Sequence, residues 1–372
     1  MFRTETHLIE KITKAVSEKL KLKYPNEVKH HFIPDENYSK IEYLIKKDSR
    51  EVQIIGLWGM GGIGKTTQAY AIFQKASSKY QGSCFLEIGT EESKTTHGLH
   101  NIYNRLLSAL LREDVRIDTV KVIPSMVIRK LNSMKVFIVL DGVSTSELLE
   151  NLIGIGHDWL GDGSTIIVTS RDKEVLISGE VGQIYEVKKM NFESSLQLFS
   201  FYAFRKSYPE KGYVKLSKRA IDYAKGNPLA LKVLGASLRF KTEEEWDCAL
   251  SKLKVIPNAE IQKVLRWSYN ELDGLEQNIF LDIACFFKGH KRERLTKILN
   301  DCGFFATIGI RHLLDKALIR VDSENCVQMH DLIQEMGKQI VREESPKNPG
   351  ERSRLWDHKE VCDVLINNKV RK

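Results

Sequence analysis

Cysteine is scarce and scattered. Cys84, Cys248, Cys285, Cys302, Cys326 and Cys362 are the only six, and no two form a Cys-x-x-Cys pair. That spacing indicates neither zinc nor a redox motif and fits reduced thiols in the cytosol. His-Glu-x-x-His is absent, and no Ser/His/Asp triad can be argued from spacing. No apolar run approaches the roughly 20 residues that a membrane helix requires. The amino terminus, Met1-Phe2-Arg3-Thr4-Glu5-Thr6, lacks the apolar region of a secretion signal. Without one, the glycosylation pattern Asn37-Tyr38-Ser39 reads as chance. Charge of neither sign dominates: 57 Lys and Arg oppose 49 Asp and Glu, a net +8. The richest basic stretch, Lys288-Gly289-His290-Lys291-Arg292-Glu293-Arg294, reads as a solvated helix face or loop rather than a nucleic-acid contact.

What the chain does have is hydrophobic content for real cores (42% over 372 residues), enough for about two to four domains. It also has Gly59-Met60-Gly61-Gly62-Ile63-Gly64-Lys65-Thr66-Thr67, an unbroken match to the phosphate-loop pattern. Glycines let the backbone curl until its N–H groups face phosphate oxygens. Lys65 brings charge to the terminal phosphates, and the Thr66 hydroxyl suits Mg²⁺. The flanks agree. Val52–Trp58 reads as a buried strand, and Ala69, Ile72, Phe73, Ala76 and Tyr80 recur at helical spacing. A helix starting there aims its positive end at the same anion.

Strands at Ser83–Ile88, Lys135–Leu140 and Ser164–Thr169 alternate with helical stretches such as Leu99, Ile102, Leu106 and Leu110. This alternation predicts an α/β phosphate-loop NTPase domain, a parallel sheet with flanking helices, over residues 31–187. Residues 1–30 read as a basic amphipathic helical linker ended by Pro25. Residues 188–258 turn helical, with a break at Gly226-Asn227-Pro228 and a capping box at Thr242-Glu243-Glu244-Glu245. Over 259–344, helices lead to a hairpin with arms Ala317–Val321 and Cys326–Met329, which predicts a winged helix. Residues 345–372 read as a linker.

Asp141 ends a hydrophobic strand, where an acid commonly serves Mg²⁺, although Asp141-Gly142 is also a turn signal. Arg171 follows another strand and could reach a terminal phosphate or form a surface ion pair. His330 by itself reads as structural, and Asp331 could cap the last helix.

Taken in order, Gly59–Thr67, Lys135–Val143 (KVFIVLDGV), Gly163–Asp172 (GSTIIVTSRD), Gly226–Gly235 (GNPLALKVLG), Phe280–Gly289 (FLDIACFFKG) and Gln328–Asp331 (QMHD) resemble the NB-ARC region of plant TIR-type leucine-rich-repeat disease resistance proteins. Arg352-Ser353-Arg354-Leu355-Trp356 resembles their segment before the repeats. The resemblance implies an ADP- or ATP-binding, Mg²⁺-dependent switch in defence signalling, resting with ADP and active with ATP. It implies that Gly59, Gly61, Gly62, Gly64, Lys65, Thr66 and Thr67 hold phosphates, and that Thr66 and Asp141 serve the metal. It further implies that Arg171 senses the terminal phosphate, that Pro228 packs near the adenine, and that His330 bonds the β-phosphate of ADP with Asp331 in support. Asp141 and Arg171 would be the catalytic pair of at most a slow ATPase. The family's second acid after the strand is Gly142 here, and its adenine-side Val-Gly is Ile33-Pro34. Asn227 stands where leucine is commoner. The resemblance also implies self-association or pairing with full-length relatives, a cytoplasmic or additionally nuclear location, and no membrane segment. With neither TIR domain nor repeats in the sequence, a fragment or a reduced relative is expected. Two rivals remain: an ATP-driven remodelling or nucleic-acid-handling ATPase, and a non-signalling adaptor or decoy.

Overall fold

The computed structural model describes residues 35–46, 51–89, 92–116, 124–154, 159–253 and 256–366. The expected helix over 1–30 and the Ile33-Pro34 pair lie outside them.

The first part alternates helix and strand: α1 (Asp35–Lys46), β1 (Gln53–Trp58), α2 (Lys65–Ala76), β2 (Gly82–Glu87), α3 (Thr96–Leu111), α4 (Ser125–Asn132), β3 (Val136–Asp141), α5 (Ser146–Ile153), β4 (Thr165–Ser170), α6 (Lys173–Ser178) and β5 (Gln183–Glu186). The five strands form one sheet in the order β2-β3-β4-β1-β5. Every pairing is parallel. Parallel strands need crossovers, and helices on both faces bury them, so β3 and β4 are buried along their whole length. Alternation along each strand splits the core in two. Ile138, Leu140, Ile166 and Val168 face the α3 side with Leu106 and Leu110. Ile55, Leu57, Phe137, Val139 and Ile167 face the α2 side with Ala69 and Ile72.

A helical part follows: α7 (Phe192–Phe204), α8 (Val214–Ala224), α9 (Pro228–Leu238) and α10 (Glu243–Leu253). Asn227 caps α9 by accepting from Ala230 N at 3.1 Å, with Pro228 at the first helical position. The expected capping box forms before α10: Thr242 N donates to Glu245 Oε2 at 2.7 Å, and Glu245 N to Thr242 Oγ1 at 3.3 Å. Trp246 is buried among Phe199, Phe204 and Tyr213, and its indole N–H donates to Leu238 O at 2.7 Å. That hydrogen bond is what lets a polar ring tip be buried.

The third part holds α11 (Ala259–Asn270), α12 (Gly274–Asp282) running into a π-helical turn at Ile283–Phe287, α13 (Arg292–Asp301), α14 (Ala306–Asp315), β6 (Arg320–Val321), β7 (Val327–Gln328) and α15 (Asp331–Glu344). Helices, an antiparallel hairpin and a closing helix make a winged-helix arrangement. The hairpin is shorter than its apolar pattern. Ala317 sits at φ 53° and its N–H closes the end of α14 on Leu314 O, so pairing starts later.

Residues 345–366, read from sequence as linker, are bound to this part and end in α16 (His358–Ile366). Arg354 donates to Asp282 Oδ1 at 2.5 Å and to Asn278 O at 3.1 Å, with its side chain 8% exposed. The Lys338 and Arg342 side chains of α15 lie over the Trp356 ring. Proline and glycine had concealed a segment held by its arginines.

Candidate functional site

The loop between β1 and α2 can be followed carbonyl by carbonyl. Lys65 Nζ donates to Gly59 O at 2.6 Å and to Met60 O at 3.1 Å. Asn227 Nδ2 donates to Gly61 O at 3.2 Å. Leu229 N donates to Gly62 O at 3.2 Å. Across a trans peptide, the next N–H points opposite to each carbonyl. Carbonyls drawn toward protein donors therefore turn the following N–H groups to the opposite side of each peptide plane; of these, Ile63 N donates to Met60 O at 3.4 Å. Helix α2 then begins with no side-chain cap, its N-cap Gly64 at φ 98°. Its first N–H groups have no intrahelical partner, and they carry the positive end of the helix dipole. The cradle fits a phosphate chain.

Lys65 is buried beneath this cradle. Burial first, and the nearby Arg171 guanidinium second, push its pKa down to about 7, with Asp141 opposing. A cation so placed is stabilised by an anion alongside. Thr66 Oγ1 donates toward both Asp141 oxygens, at 2.9 Å each. This hard-oxygen pair, a hydroxyl beside a carboxylate at a phosphate cradle, fits Mg²⁺. Thr67, next on α2, is half-buried.

Sequence reading missed Thr169. Its hydroxyl donates to Asp141 Oδ1 at 2.6 Å and accepts from Gly142 N at 2.9 Å, fixing the carboxylate. Residue 169 lies two before Arg171 on β4, which the sheet order sets between β1 and β3. The same order brings Arg171 beside the loop: a Cβ added at Gly61 would stand 3.5 Å from Arg171 Nη1. Arg171 Nη1 donates to Val264 O of α11 at 3.0 Å, and burial holds its pKa below the usual arginine value. Val264 was also missed, since nothing in an amphipathic helix marks one carbonyl as an arginine acceptor.

The Asn227–Leu229 turn seats against the loop. Gly62, at φ 75°, has Leu229 Cβ where its own Cβ would stand, 2.7 Å away, and Pro228 Cγ lies 3.7 Å from that position on Gly64. Behind the turn, Gly226 at φ 81° lets Met190 N donate to its carbonyl at 3.0 Å.

His330 caps α15. Its Nδ1 accepts from Leu332 N at 3.2 Å, so the neutral ring carries its proton on Nε2, which faces Lys225 O at 3.4 Å. Burial pushes its pKa down to about 4, against the pull of Lys225 O and Asp331. Burial pushes Asp331 up, but Lys288 at 2.5 Å outweighs it and holds the carboxyl below its usual range. His330 thus joins the winged helix to the chain two residues before Asn227. Further contacts link the sheet to the winged helix. Trp58 Nε1 donates to Asp315 O at 2.8 Å, and Lys316 pairs with Asp172 at 2.8 Å and Glu271 at 3.4 Å.

The NB-ARC domain model matches residues 36–208, and the model described as Disease resistance protein Roq1-like, winged-helix domain matches 273–345. The chain belongs to the NB-ARC family. Disease resistance protein RUN1 of Vitis rotundifolia is 42% identical over 361 residues, covering 96% of this chain and 27% of that protein. TMV resistance protein N of Nicotiana glutinosa is 43% identical over 341 residues, covering 90% and 29%. The NB-ARC chain therefore spans between a quarter and a third of the length of these relatives. The Walker-type ATPase PABY2304 of Pyrococcus abyssi superposes with a TM-score of 0.54 at 14% identity, over 82% of this chain and 96% of that one. At that identity the likeness concerns the fold. Among the described residues, no helix is long and apolar enough to cross a membrane.

Proposed function

We propose that this NB-ARC chain is an ADP/ATP-binding switch in plant defence signalling, resting with ADP and active with ATP. One observation carries the reading: among the described residues, the sheet, the helical part and the winged helix each reach the same phosphate loop or its immediate support. The sheet supplies Lys65, Asp141 and Arg171. The helical part supplies Asn227 and Leu229. The winged helix supplies Val264 O to Arg171, and His330 to Lys225. A ligand shifts a conformational equilibrium only through unequal affinity for its states. Contacts gathered from several parts onto one loop provide that inequality.

In this reading Gly59, Gly61, Gly62, Gly64, Lys65, Thr66 and Thr67 bind phosphates, and Thr66 and Asp141 hold Mg²⁺. Pro228 packs near the adenine. His330 bonds the β-phosphate from the winged helix, with Asp331 in support. Arg171 exchanges the Val264 carbonyl for the terminal phosphate. Bound Mg²⁺ would supply charge neutralisation between the phosphates. Hydrolysis is slow because Gly142 offers no carboxylate to orient water. Release of the winged helix then permits self-association or pairing with full-length resistance proteins, in the cytoplasm or nucleus. In the docked arrangement the end of α14, together with Lys316, is engaged by Trp58 of β1 and by Asp172 at the cap of α6, which withholds it from nucleic acid.

The test is direct. Protein purified without added nucleotide is denatured and the supernatant chromatographed. ADP is expected from wild type and not from Lys65→Ala. Recovery of none from either, with no calorimetric uptake of ADP or ATP by folded protein, refutes the switch.

A further inference from the structure

The phosphate loop has carbonyls facing away from its cradle, and the helical part holds two of them. Asn227 is 1% exposed, and both ends of its side chain are used. Oδ1 accepts from Ala230 N at 3.1 Å, and Nδ2 donates to Gly61 O at 3.2 Å. Leu229 N takes the neighbouring Gly62 O at 3.2 Å. A leucine at 227 could do neither job of the amide.

We propose that Asn227 is a positioning residue that couples docking of the helical part to the anion-binding conformation of the phosphate loop, and so retards release of bound nucleotide. Fixing Gly61 O turns the peptide plane, and with it the Gly62 N–H, away from α9. If α9 leaves, the Gly61 and Gly62 carbonyls lose their donors together and the planes are free to rotate. The loop then no longer holds its N–H groups convergent. Conversely, an anion that holds those N–H groups keeps the carbonyls presented to Asn227 and Leu229. The coupling is reciprocal, as linkage requires. It rests on the nucleotide reading above but adds a residue and a direction to it.

Two substitutions separate this role from simple helix capping. Asn227→Ser keeps a good cap for α9, but the shorter side chain cannot span to Gly61 O. Asn227→Leu removes both bonds. The assay is stopped-flow dissociation of a fluorescent N-methylanthraniloyl-ADP from the full chain with Mg²⁺, alongside the thermal midpoint. Losing a hydrogen bond to a buried carbonyl is expected to speed release about tenfold in Asn227→Ser, with a midpoint lower by only a few degrees. Asn227→Leu should release at least as fast and melt lower. Asn227→Ser releasing at the wild-type rate overturns the coupling, whatever Asn227→Leu does. A wild-type protein that takes up no labelled ADP defeats the nucleotide reading itself, and this inference with it. A normal wild-type rate matched by Asn227→Ser defeats the inference alone.

Discussion

Gly62 and Gly64 differ by what stands behind them, and alanine at each should show it. Both have left-handed φ, 75° and 98°. That conformation costs an L-residue about 1–2 kcal/mol at either position. At Gly64 the new methyl would meet only Pro228 Cγ, at 3.7 Å, an ordinary contact. At Gly62 it would stand 2.7 Å from Leu229 Cβ and 3.0 Å from Leu229 Cδ2. A Cβ is fixed to the backbone, so no rotamer change relieves the overlap. Helix α9 must move off the loop, straining the Leu229–Gly62 and Asn227–Gly61 hydrogen bonds. Overpacking of this kind costs a further 1–3 kcal/mol or so. Gly62→Ala should therefore lie about 1–3 kcal/mol below Gly64→Ala. At roughly 2–4 °C per kcal/mol, its thermal midpoint should be roughly 2–12 °C lower. Differential scanning calorimetry of the two variants in one buffer without nucleotide measures this. Equal midpoints, or a lower one for Gly64→Ala, would refute the packing of α9 against the loop.

Two further outcomes concern charge and turnover. His330 titrates at about 4 when folded, below its ordinary value of 6.5. Its contribution to stability is complete above pH 6.5 and falls away as pH drops from there toward 4. His330→Asn retains a capping side chain but does not titrate, so its midpoint should decline less across that window. Parallel declines for both proteins would exclude His330 as the source. Gly142→Asp should raise the rate of phosphate release from ATP. Residue 142 sits at φ 85°, so the change should also cost about 1 kcal/mol of stability. Fast turnover by the wild type would overturn the assigned consequence of the missing acid.

The legible parts of this molecule were those written in local chemistry. The phosphate loop, the strand ending at Asp141, and the capping box at Thr242–Glu245 each depend on residues close in sequence, and each formed where its pattern stood. The strand order was not legible, because parallel pairing is set by crossovers and not by any one strand. With it went the relation of Arg171 and Thr169 to Asp141. Strand β5, four residues and half-exposed, carried too little apolar pattern to be seen. Asn227 looked like a departure from a family preference. Only its reach to a carbonyl 166 positions away gives the amide a purpose. The 345–366 segment misled in the opposite sense. Its Pro-Lys-Asn-Pro-Gly run is real, but Arg352 folds the segment on itself through Ser345 O, and Arg354 ties it to Asp282, 72 positions back in the chain.

That tethering has a mechanical result. Arg354 bolts the segment to α12, and Trp356 lies beneath the cations of α15, the helix whose first turn begins at His330. A pull or twist on α16 is delivered through this handle to α15 as a unit, and so to the imidazole at its head.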